Sequence, residues 1–128
     1  MAHGNFVLDK GYNAAAPITK FTAVKFSAAE TVTPVTAITD QVAGFAQFNV
    51  AASEITRGKG CVVRTEGVTE AVASAAIPVG SLVSIGATAQ VKVAATGERV
   101  VGKCVGHAAV NAGDRIALHI VSTGFLAP

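Results

Sequence analysis

Val42-Ala43-Gly44-Phe45-Ala46, then Ala51-Ala52-Ser53-Glu54-Ile55, then Gly60-Cys61-Val62-Val63-Arg64-Thr65-Glu66-Gly67-Val68 is the stretch that decides the fold. Two glycine-bounded runs, rich in residues suited to strands, flank a short polar segment. In that segment Ser53 and Glu54 start one turn of helix or a tight loop. Everything downstream reads as a second, looser statement of the same unit. Nothing in the stretch has the spacing of a catalytic or metal-binding motif.

Upstream of it, residues 1–17 are punctuated by Gly4, Gly11, Asn13 and Pro17, and Pro17 disfavours helix through Ala14-Ala15-Ala16. This segment reads as an extended N-terminal arm that orders against a partner, or as an edge strand of the same domain. Its apolar residues Phe6, Val7, Leu8 and Tyr12 are too many for a solvated tail. The β domain proper then spans 18–128. Phe21–Phe26 alternates as a first strand, and Thr31–Thr39 is a strand held to an edge by Pro34. Val42–Val50 and Cys61–Glu66 follow, with 66–70 as a turn or bulge. From Ala71 on, Leu82–Ile85, Val91–Val93, Val100–His107 and Arg115–Val121 are strands, and residues 123–128 a tail. Short strands spaced by Gly, Asn and Asp turns indicate an all-β fold: a small single-domain β-sandwich or barrel with at most one short helical turn. Val42-Ala43-Gly44 against Val100-Val101-Gly102, and Thr65-Glu66-Gly67 against Ser122-Thr123-Gly124, hint at an internal repeat of two packed β units.

Composition narrows the classes. The 128 residues fit one domain with a real core. Only 14% are charged, against roughly 25% in an ordinary soluble domain. Sparse charge fits either burial of surface in an oligomer or larger assembly, or simply a small-residue β domain. Lys and Arg form no stripe, and one Tyr, six Phe and no Trp offer few stacking platforms; nucleic-acid binding is excluded on those grounds. Residues 71–91 carry no charge, but Pro78, Gly80 and Gly86 interrupt them, so they read as strands and a turn rather than a membrane span. Met1-Ala2-His3-Gly4-Asn5 lacks the basic and apolar regions of a signal peptide.

The candidates for chemistry are few. Cys61 and Cys104 lie far apart in apolar runs, where buried free thiols are the default and a disulfide has no geometric support from sequence. His3, His107 and His119 have no second ligand at a recognisable spacing, so no metal site is expected. Gly58-Lys59-Gly60 lacks the remaining glycine, Ser/Thr and helix of a phosphate loop. Asp9, Asp40 and Asp114 stand in turns, where Asp is favoured for backbone reasons. The expectation is therefore no enzyme, no cofactor and no small-molecule substrate.

The order and spacing of several features over Val42–Val121 resemble the capsid cement (decoration) proteins of tailed bacteriophages. These are Gly44-Phe45-Ala46, the Ala51–Glu54 segment, the Val-rich strand ending in Glu66-Gly67-Val68, Ile77 with Gly80 and Val83, Val101-Gly102, and Ala112-Gly113-Asp114 before the last apolar strand. The resemblance implies a virion structural protein, made in the host cytoplasm and bound to the outside of an expanded capsid. As a homotrimer it would clamp neighbouring major capsid protein subunits, with many modest contacts giving avidity. Phe6, Val7, Leu8 and Tyr12 would be the partner-binding anchors, and deleting residues 2–12 is expected to weaken capsid binding while leaving the fold intact. The alternative is a surface-displayed adhesive or carbohydrate-binding module, although such sites usually present exposed aromatic platforms.

Overall fold

The computed structural model describes residues 7–86 and 88–127, with the side chains of 122–126 excepted. The chain is all-β with one short helix. Its elements in order are β1 (Leu8–Ala14), β2 (Ala23–Ala28), β3 (Thr31–Pro34), β4 (Gly44–Ala46), α1 (Ala52–Thr56) and β5 (Cys61–Glu66). After these come β6 (Val68–Val72), β7 (Leu82–Ile85), β8 (Val91–Val93), β9 (Arg99–Gly106) and β10 (Arg115–Leu126). The first five strands close a barrel in the order β1-β3-β2-β4-β5, and the last five form an open sheet in the order β6-β10-β9-β7-β8.

These orders are the same circuit. With β6 to β10 set against β1 to β5, each strand has the same neighbours, and the registers agree. Tyr12 faces Cys61 in the barrel as Ala71 faces Ile116 in the sheet. Phe26 faces Val32 as Ile85 faces Val91. Ala23 faces Phe45 as Leu82 faces Lys103. The parallel closure of the barrel, Ala14 to Val32, has its counterpart in the single parallel bridge from Ala73 to Val91. Even the unusual backbone recurs: Phe21 and Gly80 have positive φ, as do Glu30 and Ala89. The hint of a repeat at Val42–Gly44 and Val100–Gly102 therefore marks a duplication of the whole unit. The other match is out of register, because Arg64 is level with His119 and so Thr65 with Ile120, not Ser122. The second unit is shorter where the first has α1; a tight turn, residues 111–114, takes its place.

Alternation along the strands fills two cores. Val24, Val32, Ala46, Cys61 and Val63 are buried inside the barrel. A larger cluster joins the second unit's Ile77, Val83, Ile85, Val91, Ile116 and Leu118 to Ala23, Val35 and Phe45 of the first. The units thus pack the outer face of β2 and β4 onto the second sheet. The contact also involves backbone. In the barrel the Asn13 N–H donates to the Glu30 carbonyl at 2.8 Å. The equivalent groups of the second unit do not meet: the Val72 N–H donates to Phe21 at 3.0 Å, and the Ala89 carbonyl accepts from the Ala23 N–H at 2.9 Å. The Phe21–Ala23 segment is therefore wedged into the seam that would otherwise close the second barrel.

Five boundaries depart from the sequence reading. The strand expected over Thr31–Thr39 stops at Pro34, and beyond it the Asp40 N–H donates to the Ala37 carbonyl at 3.1 Å in a turn. Residues 8–14, read as arm or edge strand, form β1, paired with β5 along 8–12 and with β3 at 13–14. The strand expected over Val42–Val50 keeps only Gly44–Ala46, because Gln47 donates to Val62 while Val50 exchanges bonds with Ile18, which bends the chain. The turn expected at 66–70 is only Gly67, at φ +97°; Val68–Val72 pairs with β10 as a strand. The tail expected at 123–128 is mostly strand, since Phe125 and Leu126 pair with Val100 and Arg99 past a register shift.

Candidate interaction surface

The described anchor candidates lie on β1 or just before it. β1 carries Asp9, whose carboxylate accepts two bonds from the Arg64 guanidinium, at 2.8 and 3.1 Å. The third Arg64 nitrogen, Nη1, donates to the Val68 carbonyl at 2.9 Å, so this one side chain ties β1 to the junction between units. Both partners are partly exposed, which limits the pair to about 0.5–1 kcal/mol. The Thr65 hydroxyl donates to the Leu8 carbonyl at 3.2 Å. With its backbone held, β1 presents Val7 and Leu8 to solvent.

Tyr12 projects elsewhere. It packs against the barrel core, and its ring meets Phe26 edge-on, 5.1 Å between centroids. Such a pair contributes about 0.5–1.5 kcal/mol beyond buried area. Lys10 Nζ lies 5.1 Å from the Tyr12 ring centre and 3.3 Å from a Glu30 carboxylate oxygen. The result is an aromatic platform with a Lys–Glu pair beside it. Of the four anchors expected from sequence, Leu8 and Tyr12 share β1, Val7 precedes it, and Phe6 lies outside the described residues. Phe26 was read only as a strand residue. Its alternation with Val24 places it on the interior-facing side of β2, yet it is exposed.

Other apolar side chains are exposed singly around the molecule: Ile38, Phe48, Val79, Val105 and Val110. A hollow of about 140 Å³ lies between the units, lined by the equivalent segments Gln41–Gly44 and Arg99–Val101. It is shallow and holds no convergent set of acids, bases or nucleophiles.

No group of three or more His, Cys, Asp or Glu is placed to hold a metal among the described residues. Cys61 and Cys104 are buried free thiols, and burial pushes both thiol pKa values up, away from nucleophilic character. The carboxylates with perturbed acidity hold turns together. Asp40 is lowered to about 2 by its bond from Lys25 and by the Thr36 amide. Glu98, at the equivalent turn of the second unit, is lowered by Lys92 and the Ala95 amide. Glu54 is lowered by Lys59 and the Ala51 amide, Asp114 by the Asn111 and Val110 amides. All four carboxylates are occupied by backbone and lysine donors, a structural use of charge.

No family model matches the chain, and neither does any curated protein. Among solved structures the fold is similar to that described as "The crystal structure of head fiber gp8.5 N base in bacteriophage phi29", with a TM-score of 0.65 and 15% sequence identity. The match covers 94% of this chain and 98% of the other, so both repeated units, and not one of them, have counterparts there.

Proposed function

We propose that the protein is a structural component of a bacteriophage virion. It binds the outer surface of the expanded capsid and stabilises it by clamping neighbouring major capsid protein subunits, as a homotrimer made in the host cytoplasm. The observation that carries this reading is the end-to-end similarity in fold to the base of a phage head fiber. The sequence resemblance to capsid cement proteins points the same way. So does the chemistry: a sparsely charged β domain whose perturbed carboxylates all serve turns suits a binding role without catalysis, cofactor or small-molecule substrate. Val7 and Leu8, exposed at the start of β1, are its proposed capsid contacts.

Co-sedimentation of the purified protein with expanded and unexpanded capsids of the source particle tests the proposal. Saturable binding to the expanded form alone is expected, and the plateau gives the copy number per capsid subunit. Failure to bind either form would discard the capsid role and return attention to an adhesive module, which glycan-array binding would then reveal.

A further inference from the structure

Because the two units share strand order and register, each exposed position in one can be compared with its counterpart in the other. Two faces stand out. In the second unit, Ala71 and Ile85 belong to the core that the first unit covers, and Ile85 is only 2% exposed. Their counterparts in the first unit are Tyr12 and Phe26, and Phe26 is 53% exposed. On the opposite side of the contact, Ala23, Val35 and Phe45 are buried. Their counterparts in the second unit are Leu82, Ala94 and Lys103, of which Leu82 and Ala94 are half-buried and Lys103 is exposed. The molecule therefore uses one donor face and one receiving face internally and leaves one of each uncovered.

We propose that the Tyr12–Phe26 end of the barrel is a self-association site that receives the Leu82–Lys103 face of a second copy of this chain. The new contact repeats, between molecules, the one that joins the two units within a molecule. Charge supports this occupant over an unrelated protein. Phe45 becomes Lys103, and Ala89, which bonds to Ala23 across the internal contact, becomes Glu30. The two apolar residues that flank Ala23 in the internal contact are thus replaced by groups of opposite charge, and Glu30, which pairs with Lys10 in its own chain, is the acidic group nearest the incoming Lys103 in the proposed contact. Backbone bonding supports it too. Ala15 to Val32 in the barrel and Ser74 to Val91 in the second unit are equivalent seam bonds; beside them the free barrel has one further bond, Asn13 to Glu30, where the occupied seam has two, to Phe21 and from Ala23. Since donor and receiving faces differ, the contact is heterologous, and a ring of three such contacts would make the homotrimer proposed above.

Sedimentation equilibrium of the purified full chain tests this, and its outcome does not depend on whether the particle is a capsid. The wild type is expected at a fixed multiple of the 12.8 kDa chain mass. Phe26→Asp, at an exposed position that leaves the core intact by circular dichroism, is expected to return the mass to a single chain. Lys103→Glu and Glu30→Lys are each expected to weaken association about tenfold or more, since like charges then meet across the contact. The double variant is expected to recover it, an outcome that misfolding cannot mimic. A wild type that stays at one chain mass at every concentration would overturn the proposal. A multimer that persists in both Phe26→Asp and Leu82→Asp would do the same, as would a double reversal no better than either single.

Discussion

Two glycines are fixed by contact rather than by turn geometry. A Cβ built on Gly44 would lie 2.4 Å from the Arg64 carbonyl oxygen, and one on Gly102 would lie 2.5 Å from that of His119. Both obstacles are backbone of a paired strand, so neither can swing away. Gly44→Ala and Gly102→Ala are each expected to cost about 1–3 kcal/mol by overpacking, whereas Gly11→Ala, with nothing within 4 Å, should be near neutral; urea unfolding midpoints separate the cases. The same steric need explains why Val42–Gly44 and Val100–Gly102 were the legible trace of the repeat. Elsewhere identities persist only at scattered buried positions, Ala14 with Ala73, Ile18 with Ile77, Val24 with Val83 and Val32 with Val91, while Tyr12 against Ala71, Phe26 against Ile85 and Phe45 against Lys103 have diverged. Asp40 gives a second prediction at this scale. With a folded-state pKa of about 2 against an ordinary 3.8, its contribution is fully present above the ordinary value. It is lost as pH falls through the folded one. Melting temperature should hold down to mildly acid pH and drop as pH approaches 2, and Asp40→Asn should lower it at neutral pH while flattening the acid limb.

Among the elements, β1 changes what can be asked of the N-terminal segment. Deleting residues 2–12 was the natural test of an arm, but residues 8–12 pair along β5, so the deletion strips a barrel strand. It is expected to lower stability enough to broaden or abolish cooperative thermal unfolding. Leu8→Asp changes only an exposed side chain; it is expected to leave the melting temperature within about 0.5 kcal/mol-equivalent of wild type and to reduce capsid retention in co-sedimentation. Strands that keep the same neighbours along their length, such as Cys61–Glu66 between β1 and β4 and Leu82–Ile85 between β8 and β9, were legible from alternation. Those that change partners were not. β4 ends where its neighbour switches from Val62 to Ile18, and β10 runs on past a register shift through Ser122, Thr123 and Gly124, residues that by themselves say turn. α1 was legible as one helical turn through Glu54, which accepts from the Ala51 N–H at 2.9 Å and so holds the first turn without a capping side chain at Ala51.

At the scale of the molecule, the all-β class was available from spacing, while the strand count and the arrangement were not: eight strands were read, β1 was left between arm and edge strand, and β6 was taken for a turn. Whether ten strands make one sandwich or two related units depends on long-range pairing that local pattern does not encode. The interaction surface was half legible: Val7, Leu8 and Tyr12 were singled out because apolar residues crowd a segment expected to be solvated, and Phe26 was passed over because it reads as core. Its exposure emerges only when the barrel is seen to lack the cover that its counterpart Ile85 has.

The wedge formed by Phe21–Ala23 sets an order of events during synthesis. By the time Gly67 leaves the ribosome, every strand of the barrel has emerged, and its seam seals with its own Asn13 and Glu30. The second half cannot finish the same way, because Val72 and Ala89 bond to the first half and not to each other. The amino-terminal unit is thus a template for the carboxy-terminal one, and assembly runs in the direction of translation. A chain made in the reverse order, with residues 67–128 preceding 1–66, would expose the outer edges of β6 and β8 until its template arrived, and should partition into aggregates in a timed cell-free reaction where the natural order stays in solution.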